Sequence, residues 1–445
     1  MELNILIKLL EEKKYEAIKI ALNEMNEFDI ASILNDLDDE YIIKVFRLLK
    51  KDKATEVFTE LDSDTQTKLI TSMSKTESKQ IIEGMFTDDA ADLFEEMPAM
   101  LVTSLLANVS KETRNDINKL LKYPDNSAGS MMAVEYIHLK KGLTIRESIE
   151  RIRKQKEDFV SYDSFFVTEN NRKLLGTVSI KEILTNDPET LIDDIMEECE
   201  HPIHTLMDQE EVANIFQDYD YSSLPVVDME DRLVGVITID DVVDIIEEEA
   251  TEDMEKMAAI LPTDKSYNKI SVWETFKARI PWLLLLMVSA TFTGKIIQGF
   301  EKQLATFTIL TAFIPMLMDT GGNCGGQASV SIIRALSLND IEFKDIFKVI
   351  FKEFRIAILC AIVLAICNFF KMLLIDHVKV IVAAVVCITL ALTIVIAKLI
   401  GCILPMCAKR IGLDPAVMAS PFITTIVDAC SLLIYFSVAT MLLGL

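Results

Sequence analysis

Asp428 is an acidic residue in the middle of a long apolar stretch near the C-terminus. Thr424 and Thr425 precede it by four and three residues, so a helix would place their hydroxyl groups on or beside the face that carries the carboxylate. A charge inside a lipid bilayer is costly, and by default it marks a functional site. The alternative is an ion pair with a basic residue of a neighbouring span, such as Lys398.

A second carboxylate, Asp319, begins a similar polar line. Asn323 and Gln327 follow it by four and eight residues, so all three side chains fall on one face of a helix. The two lines together predict oxygen ligands on two different membrane spans. Here the alternative is neutralisation of the carboxylate by Arg334 or Lys295.

Glycines and prolines surround both polar lines. The glycines permit close backbone approach or a local unwinding that exposes carbonyl oxygens, or they form only a helix-packing surface. The prolines can free further carbonyl groups on the last span. The residues concerned are Gly321, Gly322, Gly325, Gly326, Pro415 and Pro421.

These candidate ligands are all hard oxygens, with no cluster of thiolates and imidazoles beside them. Such a set favours Mg²⁺ or Ca²⁺ over Zn²⁺ or Cu⁺. Mg²⁺ sheds its water reluctantly and is usually held by one or two carboxylates. A sparse site with the single central carboxylate of Asp428 therefore favours a largely hydrated Mg²⁺, although the same oxygens suit Co²⁺ and Mn²⁺.

The apolar and charged residues are segregated along the chain. The first 270 residues hold 59 of the 69 acidic residues and 30 of the 44 basic ones, whereas the last third is hydrophobic. A strongly acidic surface repels nucleic acid and attracts divalent cations, which prefer oxygen ligands. The alternative is that the acidity serves only solubility.

The hydrophobic third contains five candidate membrane spans, since a helix needs roughly 20 apolar residues to cross a bilayer. Basic residues are concentrated after the second and fourth spans, so the positive-inside rule places these loops and the N-terminus in the cytoplasm and the C-terminus outside. An odd number of spans favours a pore at a dimer axis. The spans are Ile280–Phe300, Leu304–Leu317 with an extension to Ala335, Phe354–Ile375, Val380–Leu404 and Ala416–Leu443.

A repeat of twelve residues occupies positions 20 to 121. An apolar pair spaced i, i+3 recurs in each unit, which suits one short helix and a tight turn. Helices with so narrow an apolar stripe must stack on one another, so the repeat predicts an all-helical superhelix. The pairs are Leu22/Met25, Leu34/Leu37, Phe46/Leu49, Phe58/Leu61, Ile70/Met73, Ile82/Met85, Phe94/Met97 and Leu106/Val109.

A second repeat, with a spacing of 59 residues, follows between positions 130 and 249. Residues 174–180 match residues 233–239, and each copy is typical of a buried strand that leads into a helix. The pair resembles a tandem of CBS domains, modules that sense nucleotides or ions. In that family an Asp binds a ribose, which implies a possible site for ATP or another adenine nucleotide at Thr238 and Asp241. The first copy departs from the signature because Glu182 stands at the Asp position.

The sequence thus predicts a multi-domain membrane protein. We expect an all-α superhelical domain over residues 1–129, α/β CBS domains over 130–190 and 191–249, an acidic connecting helix over 240–270 and a five-helix transmembrane domain over 271–445. The connecting helix leads straight to the first span. It is either a lever between sensor and membrane or a solvated linker.

The arrangement as a whole resembles the MgtE family of Mg²⁺ channels. Three motifs carry the resemblance: residues 88–98 in the helical repeat, residues 321–327 in the second span, and residues 414–428 around the last span. Gly326 departs from the family's second-span motif, in which an Asn is expected. The resemblance implies a homodimer with a pore on its axis, lined by the second and fifth spans, and it assigns the Mg²⁺-selecting role to Asp428.

The resemblance also implies a feedback gate in the acidic cytoplasmic region. Carboxylate-bearing faces repel one another when empty and are bridged when intracellular Mg²⁺ binds, which shifts the population toward a closed pore. The carboxylates available for regulatory metal binding are Asp88, Asp89, Asp92, Asp240, Asp241, Asp244, Glu247, Glu248, Glu252 and Asp253.

Two other readings of the sequence remain open. A CBS-regulated secondary transporter that exchanges divalent cations would use the same ligands, and a membrane-anchored sensor would use the spans only as an anchor. An enzyme is not indicated, because the sequence lacks P-loop, GxSxG and HExxH motifs. We expect a multi-pass protein of the plasma membrane.

Overall fold

The structure is a computed structural model that describes residues 3–155, 159–263, 267, 270–301, 308–418 and 420–444. The chain divides into two compact units, residues 1–246 and 247–445, and each is described by itself.

The first unit opens with ten short helices, and each begins twelve residues after the one before it. The predicted helical repeat is confirmed, and it extends one unit beyond the apolar pairs at each end, to α1 and to α10. The helices are α1 (Leu3–Glu11), α2 (Tyr15–Glu24), α3 (Glu27–Asn35), α4 (Asp39–Phe46), α5 (Lys51–Thr59), α6 (Ser63–Ser72), α7 (Lys75–Ile82), α8 (Thr87–Glu95), α9 (Ala99–Asn108) and α10 (Lys111–Leu120).

The i, i+3 spacing of the apolar pairs has a local cause. In six of the eight pairs the second residue donates its backbone N–H to the carbonyl of the first, as Leu37 does to Leu34 and Leu61 to Phe58, which closes the helix with a tight turn. The first residue of each of these pairs points into a continuous core. Helices then pack on the second helix along the chain: α3 on α5, α5 on α7, α7 on α9, α4 on α6 and α8 on α10.

Two three-stranded sheets follow, in the orders β1-β2-β3 and β4-β5-β6. In each sheet the first pair of strands is parallel and the second antiparallel. The 59-residue spacing relates β2 to β5 and β3 to β6, as predicted, whereas the short first strands were not predicted. The strands are β1 (His138–Lys140), β2 (Ser164–Thr168), β3 (Leu174–Ser179), β4 (Ile203–His204), β5 (Ser223–Val227) and β6 (Leu233–Thr238).

Four helices accompany the sheets: α11 (Ile145–Lys154), α12 (Ile180–Thr185), α13 (Gln209–Tyr219) and α14 (Ile239–Met257). The acidic helix α14 ends at Met257, so it is shorter than the connecting helix predicted over residues 240–270. Val242 and Ile245 on its first turns are buried in the core of the second sheet. Helix α14 is therefore anchored by its apolar edge at this end.

The described residues of the second unit form five long helices after α14: α15 (Val272–Gly299), α16 (Ile314–Ser337), α17 (Ile346–Leu374), α18 (Val380–Arg410) and α19 (Ser420–Leu443). Four stretches of the described chain are long and apolar enough to cross a membrane, and α16 is not among them. At about 1.5 Å per residue its 24 residues still reach about 36 Å. Its polar and glycine residues lower its hydropathy.

The second span differs from its predicted position. Leu304 lies outside the described residues, the stretch Thr308–Phe313 is a 3-10 helix, and α16 begins only at Ile314. Pro315 is in the first turn of α16, where a missing N–H costs no hydrogen bond. Pro421 occupies the first turn of α19 in the same way, and Pro415 begins a 3-10 turn. The expectation that these prolines free carbonyls within the last span was therefore wrong.

Helix α16 packs on α18 and α19, α17 packs on α18, and α15 packs on α19. The glycines of α16 make these contacts close: a Cβ at Gly321 would meet Thr393 Cγ2 at 2.7 Å, and one at Gly322 would meet Thr424 Cγ2 at 2.9 Å. Because α16 is a continuous helix, the glycines serve backbone approach. Local unwinding is not observed within α16.

Candidate functional sites

The polar line on α16 forms an open face of the second unit. Asp319, Asn323 and Gln327 are exposed, whereas Gly321 and Gly325 between them are buried. Lipid tails cannot satisfy polar and charged groups on a membrane helix. This face therefore requires water or another protein surface against it.

Asp428 lies half-buried on α19. Asp319 is within electrostatic range of it, so the structure brings together the two carboxylates that the sequence singled out. The Thr424 and Thr425 hydroxyls donate to the Pro421 carbonyl at 2.9 and 3.1 Å. Each hydroxyl oxygen keeps lone pairs that can accept hydrogen bonds from a hydrated cation.

The proposed ion-pair alternatives do not occur among the described residues. Lys398 pairs instead with Glu353 at 4.0 Å, and both side chains are buried. Neither Asp319 nor Asp428 has a basic partner within ion-pair distance in the part of the chain that the structure describes. Within these described ranges, no basic side chain compensates either carboxylate. Gly326 is buried rather than on the open face, so a side chain at this position would not join the polar line.

A second group of carboxylates meets in the first unit, and we call it the acidic cluster. Its members interact electrostatically and belong to the turn after α5, the first turn of α8, the segment before β1 and the first turns of α14. They are Glu60, Asp88, Asp89, Glu135, Asp240, Asp241 and Asp244. An open groove of about 1260 Å³ runs beside Glu60, Asp89 and the three aspartates of α14.

Burial and mutual repulsion perturb the acidic cluster. Burial, then Asp241 and Glu60, raise the pKa of Asp89 to about 7. Burial also raises the pKa of Asp241 to about 6, although the Thr238 hydrogen bond opposes the shift. Burial and the neighbouring Asp89 raise the pKa of Asp88 well above its usual value. These carboxyl groups therefore keep their protons to a higher pH than exposed carboxyl groups do.

Within the described residues no three acidic, His or Cys side chains converge closely enough to hold a metal ion directly. The acidic cluster is thus a set of repelling groups around a groove rather than a finished coordination cage. A hydrated ion fits this arrangement better than a dehydrated one.

Two members of the acidic cluster were not predicted from the sequence. Glu60 follows α5, and Glu135 accepts hydrogen bonds from the backbone N–H and the hydroxyl of Thr87 at the start of α8. Tertiary packing alone brings both to the cluster, and their sequence neighbourhoods carry no signal. Asp92, which was predicted, lies on an exposed face of α8.

The remaining predicted carboxylates, Glu247, Glu248, Glu252 and Asp253, belong to the part of α14 in the second unit. Lys256 forms ion pairs with Glu252 at 2.5 Å and with Asp414 at 2.7 Å. Although burial lowers the pKa of Lys256, the hydrogen bonds that its ammonium group donates to Asp414 and Glu252 raise the pKa above the usual value. Lys256 therefore fastens the end of α14 to the connection between α18 and α19.

The nucleotide signature of the second sheet overlaps the acidic cluster. The Thr238 hydroxyl donates to Asp241 Oδ2 at 2.7 Å, so Asp241 belongs to both. In the first copy, Ser179 and Glu182 form a capping box at the start of α12. The Glu that replaces Asp there has a helix-capping role.

Comparisons with known proteins give matches to magnesium transporters and their domains along most of the chain. The family described as a divalent cation transporter matches residues 314–438, the MgtE intracellular N domain matches 25–126, and CBS domains match 128–189 and 192–248. The magnesium transporter MgtE of Thermus thermophilus is 36% identical over 360 residues, which cover 80% of this chain and 79% of the relative. That of Bacillus subtilis is 32% identical, with coverages of 80% and 78%.

Two solved structures resemble the first part of the chain. The cytosolic domain of the Mg²⁺ channel MgtE in complex with ATP is 30% identical, with a TM-score of 0.53, and the match covers 55% of this chain and 100% of that one. The soluble part of a magnesium transporter is 25% identical, with a TM-score of 0.52 and coverages of 56% and 98%. Given the matches along both parts of the sequence, this chain belongs to the MgtE family of divalent cation transporters.

Proposed function

We propose that this protein conducts Mg²⁺ across the plasma membrane along the open face of α16 and past Asp428 of α19. The observation that carries the proposal is the pair of carboxylates, Asp319 and Asp428, which lie within electrostatic range of each other on two membrane helices and have no basic partner among the described residues. A hydrated divalent cation neutralises both charges, and Asn323 and Gln327 extend the row of oxygens along the face.

The path is completed by a second copy of the chain. The polar face of α16 needs a polar partner, and a homodimer with its axis along this face would provide an identical one. The four carboxylates would then surround a water-filled path between the copies. The basic loops after the second and fourth spans support an inside N-terminus and an outside C-terminus.

The acidic cluster supports regulation by intracellular Mg²⁺. Its carboxylates repel one another when no cation is present, and a divalent ion stabilises whichever arrangement brings them together. A ligand shifts a conformational equilibrium by its difference in affinity for the two states. The feedback is negative: a high intracellular Mg²⁺ concentration draws the carboxylates of the acidic cluster together and closes the conduction path.

A nucleotide is the second regulatory ligand that we propose. The relative with the known cytosolic structure was solved in complex with ATP. The Thr238–Asp241 pair supports a ribose site in this chain, since its hydroxyl and carboxylate already lie together.

The proposal is tested by Mg²⁺ uptake into proteoliposomes that contain the full chain. We expect Asp428→Ala to abolish uptake, whereas Asp376→Ala should keep it. Asp376 is the matched control because it lies in the loop after α17, in an ion pair with Lys371. Wild-type flux in the Asp428 variant would overturn the proposal, provided that both variants form dimers and unfold at normal temperatures.

The same assay separates a channel from an exchanger. A channel carries Mg²⁺ down its own gradient at a rate that does not depend on the gradient of another ion. Flux that stops when the counter-ion gradient is removed would instead establish exchange. Parallel runs with Co²⁺ and Mn²⁺, at low and high Mg²⁺ on the domain side, measure selectivity and feedback.

A further inference from the structure

A cluster of basic side chains lies in the first sheet of the strongly acidic first unit. His138 and Lys140 come from β1, Arg151 from α11 and Arg172 from the turn between β2 and β3. We call these four residues the basic cluster. Lys119 of α10 lies within electrostatic range of Arg172 at its edge.

His138 is at the centre of the basic cluster. Its Nε2 atom is 3.4 Å from Arg151 Nη2. Burial, followed by the charges of Arg151, Arg172 and Lys140, lowers the pKa of His138 to about 4. Burial and three nearby positive charges therefore favour the neutral form of the imidazole.

The basic cluster has no acidic partner among the described residues. Neither Arg151 nor Arg172 lies within ion-pair distance of a carboxylate there. Other basic residues of the same sheet do have such partners: Lys173 pairs with Asp231 at 3.4 Å, and Arg146 pairs with Glu189 at 2.8 Å. The chain has 69 acidic residues, yet within the described ranges none of them pairs with Arg151 or Arg172.

Two buried polar atoms beside the cluster also lack hydrogen-bond partners in the described part of the chain: Arg151 Nε and Thr168 Oγ1. In the register of the parallel strands β1 and β2, Lys140 lies opposite Thr168 and His138 lies opposite Phe166. Paired residues share a face of the sheet, so Thr168 lies on the same face as His138 and Lys140. A buried donor without an acceptor is costly, and adjacent like charges repel.

We propose that the basic cluster binds a phosphate-bearing anion, with a di- or triphosphate group as the ligand. Phosphate oxygens accept bidentate hydrogen bonds from guanidinium groups, which a planar arginine donates better than a lysine. A polyphosphate carries enough charge to offset three cations and enough acceptors for the unpaired donors. The site is separate in sequence from the Thr238–Asp241 signature, because its residues come from the first copy of the repeat.

Binding of pyrophosphate to the full chain in detergent, measured by isothermal titration calorimetry with EDTA present, tests the proposal. We expect binding by the wild type and a loss of at least tenfold in affinity in Arg172→Gln, whose side chain is exposed and whose removal does not open the core. Arg151→Gln should lose as much. Arg153→Gln is the matched control, since Arg153 is exposed on the same helix and should keep wild-type affinity within twofold.

Titrations with ATP and with adenosine show whether the site recognises the phosphate chain or the nucleoside. Binding of ATP and pyrophosphate, with none of adenosine, at an affinity that falls in Arg172→Gln, supports a site that recognises the phosphate chain. The proposal is overturned if pyrophosphate fails to bind the wild type. It is equally overturned if Arg153→Gln weakens binding as much as Arg172→Gln, because diffuse charge would then explain the effect. Neither result bears on Mg²⁺ uptake, so failure here leaves the transport proposal standing.

Discussion

The carbonyl oxygen of Gly325 lies so close to Gly401 that a Cβ added at Gly401 would stand 2.2 Å from it. This contact joins the backbones of α16 and α18 with no side chain between them. A Cβ at Gly325 would in turn stand 3.2 Å from the Ala397 carbonyl. The buried side of α16 is thus fixed by backbone contact, and the opposite side carries Asp319 and Asn323. The glycine pair therefore sets the position of the open polar face.

Gly401→Ala should displace α16, because neither backbone can yield to a methyl group at 2.2 Å as a flexible side chain would. We expect Mg²⁺ uptake by proteoliposomes to fall by at least tenfold and the melting temperature in detergent to drop. Gly294→Ala on α15 is the control, since no atom lies within 4 Å of a Cβ placed there in the described structure. Full uptake in Gly401→Ala would show that α16 tolerates the shift.

The sequence predicted those parts of the fold that depend on local contacts. The twelve-residue repeat was readable because most of the apolar pairs, such as Leu34 and Leu37, are joined by their own hydrogen bond within one turn. The 59-residue repeat was readable because β3 and β6 are each a single apolar run that leads directly into a helix. The strands β1 and β4, with three and two residues, are too short to give a periodic signal.

Features that depend on packing between distant parts of the chain could not be predicted from the sequence. Glu60 and Glu135 enter the acidic cluster only because helices stack and a linker folds back on α8. The start of α16 was predicted wrongly because hydropathy favours the apolar residues before it over its own polar and glycine-rich turns. By contrast, Asp319, Asn323 and Gln327 were correctly placed on one face, since helical spacing alone determines that.

The acidic cluster should make stability depend on pH in a direction opposite to that of ordinary surface carboxylates. The pKa values of Asp89, about 7, and Asp241, about 6, are raised above about 4 for the unfolded chain. Between the unfolded-state pKa and the raised folded-state pKa values, the folded chain binds more protons than the unfolded chain. The free energy of unfolding therefore falls as the pH rises through this range. In EDTA we expect the melting temperature of the full chain to decrease from pH 5 to pH 8. Mg²⁺ should restore it at pH 8 and have little effect at pH 5.

Asp89→Asn should flatten this pH dependence, because the amide keeps the volume of the side chain and removes its charge. Asp29→Asn is the matched control: Asp29 occupies the same position of the twelve-residue repeat, the third residue of α3, but it is exposed. Scanning fluorimetry with and without Mg²⁺ measures both variants. An equal response of the two variants would contradict the assignment of Asp89 to a cation-binding cluster.

Lys256 should transmit the state of the acidic helix to the last span. Its ion pairs to Glu252 and Asp414 hold the end of α14, and Met257 beside it packs on Ile333 and Ala416. We expect Lys256→Gln to raise the domain-side Mg²⁺ concentration that halves the flux by about tenfold, equivalent to about 1.4 kcal/mol of coupling. Lys277→Gln on an exposed face of α15 should leave it unchanged. An unchanged half-inhibiting concentration in Lys256→Gln would rule out this link.

Glu353 and Lys398 form a buried ion pair between α17 and α18. Breaking such a pair leaves one charge buried without compensation and typically costs about 3–5 kcal/mol. Lys398→Met should therefore lower the melting temperature in detergent sharply. It should also reduce Mg²⁺ uptake, because Lys398 is one helical turn from Gly401 and a shift of α18 moves α16 with it.

The double variant Glu353→Gln with Lys398→Met tests whether uncompensated charge is the cause. Removing both charges avoids that penalty, and replacing buried pairs by uncharged groups is often close to neutral. We expect the double variant to recover most of the melting temperature and of the uptake that Lys398→Met loses. If it remains as impaired as the single variant, the lysine acts through its own contacts rather than through the pair. Recovered stability without recovered uptake would instead give Lys398 a direct part in conduction.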